Sequence, residues 1–148
     1  MKAKVNFKPD AYLRRVREEV SRALTRQILL AQKGLVEMLS REGSGVEYRG
    51  GRKGKGMVRT RSAPGEPPAV DTGALRRSVQ VSVPSRRDTP TLVSVRITDI
   101  LHYGGILETG TQRIAKRPWV APTIDPMKPK INRAVTDAVT LALARVRA

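Results

Sequence analysis

Apolar residues recur along the first third of the chain at Leu13, Val16, Val20, Leu24, Ile28, Ala31, Leu35 and Leu39. Spacings of three and four put them on one face of an α-helix and hold that face for several turns. The stripe predicts a helix from about residue 10 to 42, with Asp10 as its N-cap and Gly43 as its stop. At 1.5 Å per residue it would be about 50 Å long. A chain of 148 residues makes one domain, too small to cover such a face from end to end. Part of the stripe is therefore expected to pack on a neighbour.

Residues 1–8 read as a short extended arm or a first strand, and MKAKVNFKPD has no apolar core of the kind a secretory leader needs. Residues 43–69 change character. Glycine, proline and basic residues crowd in, and the few apolar residues show no helical or strand period. This segment is expected to be a long basic loop, mobile until a negatively charged neighbour neutralises it. Asp71 or Thr72 can then cap a short helical turn that carries Leu75. Val79, Val81 and Val83 alternate with polar residues, and so do Val93, Val95 and Ile97. The two runs predict an antiparallel hairpin joined through PSRRDTP. A short helix or turn follows in ITDILHYGGILETGT, and RPWVAPTIDP reads as extended. A last helix is expected from Pro126 or Lys128 onward, with Ile131, Val135, Ala138, Ala142 and Val146 as its apolar stripe. The fold class is thus α+β, with a long N-terminal helix and a C-terminal helix packed on a small, mainly antiparallel sheet.

The net charge of +16 calls for an acidic partner or a shielding neighbour. No catalytic set can be assembled. The chain has no cysteine and a single histidine, His102, so thiol chemistry and a shared histidine metal site are both excluded. GGRKGKG lacks the spacing of a phosphate loop. Glu108 has no acid or base near it in sequence, and Asp71 is better used as a cap. Catalytic, metal and cofactor-binding residues are therefore none, and no run of apolar residues is long enough for a membrane span.

Two ordered segments, SAPGEPPAVDTGALRRSV (62–79) and HYGGILETGTQRIAKRPWVAPTID (102–125), carry a resemblance. Together they resemble the tail-completion or neck proteins of long-tailed bacteriophages, also described as minor tail components or head–tail connectors. The matching positions are Thr72, Gly73, Leu75 and Ser78, then Tyr103, Leu107, Glu108, Gly110 and Thr111, then Arg117, Pro118 and Trp119. Gly104 departs from the family, which usually has alanine after the tyrosine, and Trp119 stands where phenylalanine is common.

The resemblance implies a virion structural protein that closes a ring at the head–tail junction, six-fold to match the tail tube. It would assemble in the host cytoplasm, and the genome would pass through its lumen. The implied partners are other copies of the chain, a tail tube protein, a head-connector or stopper protein, and DNA bound without sequence preference; no membrane is implied. Arg49, Arg52, Lys53, Lys55, Arg59 and Arg61, the densest basic cluster, are the expected contacts to DNA or a partner. Gly110 is expected to end a short helix with a positive φ, Thr111 to bond the turn backbone, and Trp119 and Leu107 to anchor that turn against the sheet. The alternative is a small basic nucleic-acid-binding protein, monomeric or dimeric.

Overall fold

The stripe of the first helix is core at its C-terminal end and grades through half-buried residues to an exposed Leu13 at the other. In the computed structural model, which describes residues 9–50, 56–81 and 103–147, helix α1 spans Pro9–Met38, about 45 Å at 1.5 Å per residue. Ile28, Ala31, Leu35 and Leu39 are buried. Val16, Val20 and Leu24 are half-buried, and Leu13 is 47% exposed. Asp10 is not the cap. It lies inside the first turn, where a carboxylate suits the positive end of the helix.

The helix also stops before Gly43. The Leu39 N–H still bonds the Leu35 carbonyl at 3.0 Å, but the Ser40 N–H turns to Glu37 at 3.1 Å. The Ser40 hydroxyl takes the Val36 carbonyl at 2.6 Å, and a serine that bonds its own helix in this way competes with continuation. Gly43 has a different use. The Arg61 backbone passes so close to it that any Cβ would collide.

The remaining elements are strands β1 (Glu47–Arg49) and β2 (Val58–Thr60), helices α2 (Ala74–Ser78), α3 (Tyr103–Thr109) and α4 (Ala121–Ile124), a 3₁₀ turn (Asp125–Met127), and helix α5 (Lys128–Arg147). Helices α1 and α5 run antiparallel. Glu19 near the start of α1 pairs with Arg145 near the end of α5 at 2.7 Å, and Gly34 near the end of α1 abuts Thr123 of α4. Ala31 of α1 and Ala138 and Ala142 of α5 are buried, and such small residues let helix axes approach closely. A second cluster joins Leu35 and Leu39 to Leu75, Val79 and Trp119, with Leu107, Val120 and Ile124 packed on its flank. Trp119 thus anchors on α1 and α2, where the sequence had suggested the sheet.

The α+β class expected from the sequence holds, with a long first helix, a long last helix and a small antiparallel sheet. The strands of that sheet come from another place. Within 43–69, read from sequence as an irregular loop, β1 and β2 pair antiparallel with Tyr48 opposite Arg59. The ladder continues outward through Gly45 N–H to the Arg61 carbonyl (2.8 Å), Arg61 N–H to the Val46 carbonyl (3.1 Å) and Gly50 N–H to the Met57 carbonyl (3.1 Å). Three-residue strands framed by glycine show no alternation to read. Of the hairpin expected over 79–98, residues 82–98 lie outside the described residues, as do arm 1–8, His102 and the basic positions Arg52, Lys53 and Lys55.

RPWVAPTIDP is not extended throughout. It enters α4 and the 3₁₀ turn, each with a proline in its first turn, where the missing N–H has no helical partner to lose.

Candidate interface site

The residues behind the resemblance form a joint between α3 and α4. Helix α3 ends at Thr109. Gly110 follows with φ 76, and its N–H closes on the Ile106 carbonyl at 2.7 Å, a glycine C-cap. A side chain there would press on the Lys116 backbone. Thr111 ties the next turn: its N–H bonds the Ile114 carbonyl at 2.9 Å, and its hydroxyl accepts from the Arg113 and Ile114 N–H groups at 3.3 and 3.1 Å. The expectations for Gly110 and Thr111 both hold.

The turn sends the chain back beside α3, where the Arg117 N–H bonds the Leu107 carbonyl at 2.6 Å. Glu108 then receives three backbone N–H groups. Its Oε2 accepts from Trp119 (2.7 Å) and Val120 (2.9 Å), and its Oε1 accepts from Ala121 (3.0 Å). These donors open α4, and the first N–H groups of a helix have no partner within it. Glu108 therefore caps another helix from eleven to thirteen residues away. No search for a neighbouring acid or base could have found that role. The readable signal was a carboxylate just before Gly110-bounded chain reversal, with a proline-bounded helix start beyond it.

Trp119 is 1% exposed, and its indole N–H donates to the Gly104 carbonyl at 3.4 Å. Leu107 is half-buried against the same cluster, and Pro118 is half-buried beside it.

The first motif meets the second across this cluster. Gly73 holds the N-cap position of α2 with φ 70. Neither Asp71 nor Thr72 occupies that position, although the Thr72 hydroxyl does accept the Ala74 N–H at 3.3 Å. Leu75 and Ser78 are buried, and the Ser78 hydroxyl donates to the Leu75 carbonyl at 2.7 Å. Thr72, Gly73, Leu75, Tyr103, Leu107 and Arg117 all line one cavity of about 420 Å³.

Asp71 pairs with Arg59 of β2. That pair ties the hairpin to the segment leading into α2, and Arg61 adds its guanidinium over the Tyr48 ring, 4.4 Å from the centroid. Burial, followed by a hydrogen bond to Asp71, pushes the Tyr48 phenol up. Arg49 is exposed. The Arg117 guanidinium holds the carbonyl of buried Ser62 through Nε and a terminal nitrogen at 3.3 and 3.2 Å. The basic segment is thus tied down at Arg59 of β2 and, two residues beyond the strand, at Ser62.

Glu66 supplies a further clasp that the sequence reading missed. Its carboxylate accepts from the Ser44 hydroxyl and N–H and from the Ala63 N–H (2.9 Å). The Ser44 hydroxyl, then the two backbone N–H groups, hold the Glu66 carboxyl below its ordinary value. A depressed folded value means that the clasp stabilises the fold above the ordinary carboxylate range, and that this is lost as pH falls through the lowered value. Thermal melts across the acid range are expected to show a steeper loss for the wild type than for Glu66→Gln. Parallel curves would show that the clasp contributes nothing.

Among the described residues no cluster of acids and histidines could hold a metal, and no helix is long and apolar enough to cross a membrane. Comparison of the chain with known protein families, with curated proteins and with solved structures finds no match.

Proposed function

We propose that this chain is a virion structural protein of the tail-completion or neck kind, which joins phage head to tail as a homo-oligomeric ring. Its work is assembly, without catalytic turnover. The observation that carries the reading is the joint itself. Leu75, Leu107 and Trp119 of the resemblance lie far apart in sequence, yet they pack in one cluster, and Glu108 is engaged by three backbone N–H groups beside it. A carboxylate used in this way builds a rigid corner and leaves no free base for chemistry.

A second support is the surface left over. Leu13 lies on α1 beyond the Glu19–Arg145 pair, and Leu29 and Leu30 are each 50% exposed on the same helix. Apolar surface of this kind suits contact with further copies. The charge constrains the arrangement. A ring about 50 Å tall encloses about 30 phosphates of duplex, and six subunits of +16 each would far exceed that. Most of the positive charge therefore faces outward or toward acidic neighbours.

Light scattering behind size-exclusion chromatography tests the reading. The subunit is expected to be small when dilute, and to form a closed oligomer at high concentration or on a tail-tube template. A monomer at every concentration that binds neither tail-tube nor head-connector protein would sink it. The net charge favours one other reading, a nucleic-acid-binding protein. That reading predicts a monomer or dimer whose DNA affinity falls steeply with salt.

A further inference from the structure

The cavity between the hairpin, α2 and α3 has a chemical character that the joint does not require. Its floor is apolar, built from Leu39, Leu75 and Leu107. Tyr103 and Ile114 stand at its rim, 41% and 39% exposed. Three arginines, Arg61, Arg76 and Arg117, line it as well. None of the three pairs with a carboxylate among the described residues. Arg61 lies over Tyr48, Arg76 donates to the Ser40 hydroxyl at 3.3 Å, and Arg117 donates to the Ser62 carbonyl. Asp71, the cavity's one carboxylate, is already neutralised by Arg59.

We propose that this cavity is a docking pocket for a short acidic segment of a partner protein, with its carboxylates on Arg61 and Arg76 and an apolar side chain on the leucine floor. Charge complementarity names the occupant. A guanidinium offers a planar fork that matches a carboxylate, and none of these three is paired with a carboxylate among the described residues. A second copy of this chain is a poor source of such a segment, because its 13 acidic residues are outnumbered by 29 basic ones and nowhere stand more than two together. Nucleic acid fits less well. Duplex phosphates are met by side chains that project from a surface, whereas these arginines border a recess that ends in leucines. The pocket takes from the ring reading only the idea of a protein neighbour, and it stands on its own geometry.

Fluorescence anisotropy tests it on the full-length chain. The probes are a labelled peptide Glu-Leu-Asp-Leu-Glu, its neutral counterpart Gln-Leu-Asn-Leu-Gln, and a labelled oligothymidylate. The acidic peptide is expected to bind about tenfold or more tighter than the neutral one, since each exposed ion pair contributes a few-fold and several act together. The double variant R61Q/R76Q should lose about that factor while melting like the wild type, and R133Q on α5, outside the cavity lining, should lose nothing. Equal binding of both peptides overturns the proposal, and so does an unchanged double variant. Oligothymidylate that displaces the acidic peptide and depends on Arg61 and Arg76 would reassign the pocket to nucleic acid. Chromatography of the same samples keeps the two readings apart. Peptide binding by a strict monomer overturns the ring alone, and a ring that ignores the peptide overturns the pocket alone.

Discussion

Replacing Trp119 with alanine is expected to destabilise the fold by about 3–5 kcal/mol and to lower the melting temperature by roughly 10 °C or more. Trp119 is 1% exposed and is the largest of the fully buried side chains. It fills the space where the end of α1, helix α2 and the α3–α4 joint meet. The neighbours cannot close the gap, because each is fixed by its own backbone: Leu35 by α1, Leu75 by α2, and Leu107 by the Arg117 N–H that bonds its carbonyl at 2.6 Å. Truncation also leaves the Gly104 carbonyl without its indole donor. Trp119→Phe keeps most of the volume and should cost much less, about 1–2 kcal/mol. Thermal and denaturant melts of the three proteins check the order. Equal stability of wild type and Trp119→Ala would remove Trp119 from the core.

Glu108→Ala is expected to cost about 2–4 kcal/mol, because three backbone N–H groups lose a charged acceptor at once. Two of those donors, on Trp119 and Val120, belong to residues that are buried or half-buried, so water replaces the carboxylate poorly. Glu108→Gln keeps one acceptor oxygen and its length, and should recover about half of the loss. Denaturant unfolding with an unchanged slope would show a loss of stability in a still compact fold. Hydrogen exchange adds a local readout, with the N–H groups of Val120 and Ala121 exchanging fastest in Glu108→Ala. If Glu108→Gln is as damaging as Glu108→Ala, charge matters and hydrogen-bond geometry does not. If neither variant moves the melt, the clasp is a contact without consequence. Either substitution should also loosen the cavity wall that carries Leu107 and Arg117.

What could be read in advance depended on the range of the interaction. The stripe Ile28, Ala31, Leu35 and Leu39 was legible because helical period and burial agree along one element. The last helix, beginning at Lys128, was legible for the same reason. Gly110 and Thr111 were also legible, since a turn is made by residues a few positions apart. The β1–β2 hairpin was not. Its strands are three residues long and lie among glycines and arginines, and what holds it in place is Arg59 on Asp71 and Arg117 on the Ser62 carbonyl.

The sequence by itself determined two long amphipathic helices, the α+β class, the turn at Gly110 and the excess of positive charge. Each of these is a property of composition or of neighbours in the chain. Tertiary structure decided where α1 ceases to be core, which carboxylate caps which helix, and which arginines are left without one. Glu108 could cap α4, and Asp71 could leave α2 for Arg59, only after the chain had folded back on itself. A carboxylate takes the best set of donors within reach, and reach is set by packing, not by position along the chain.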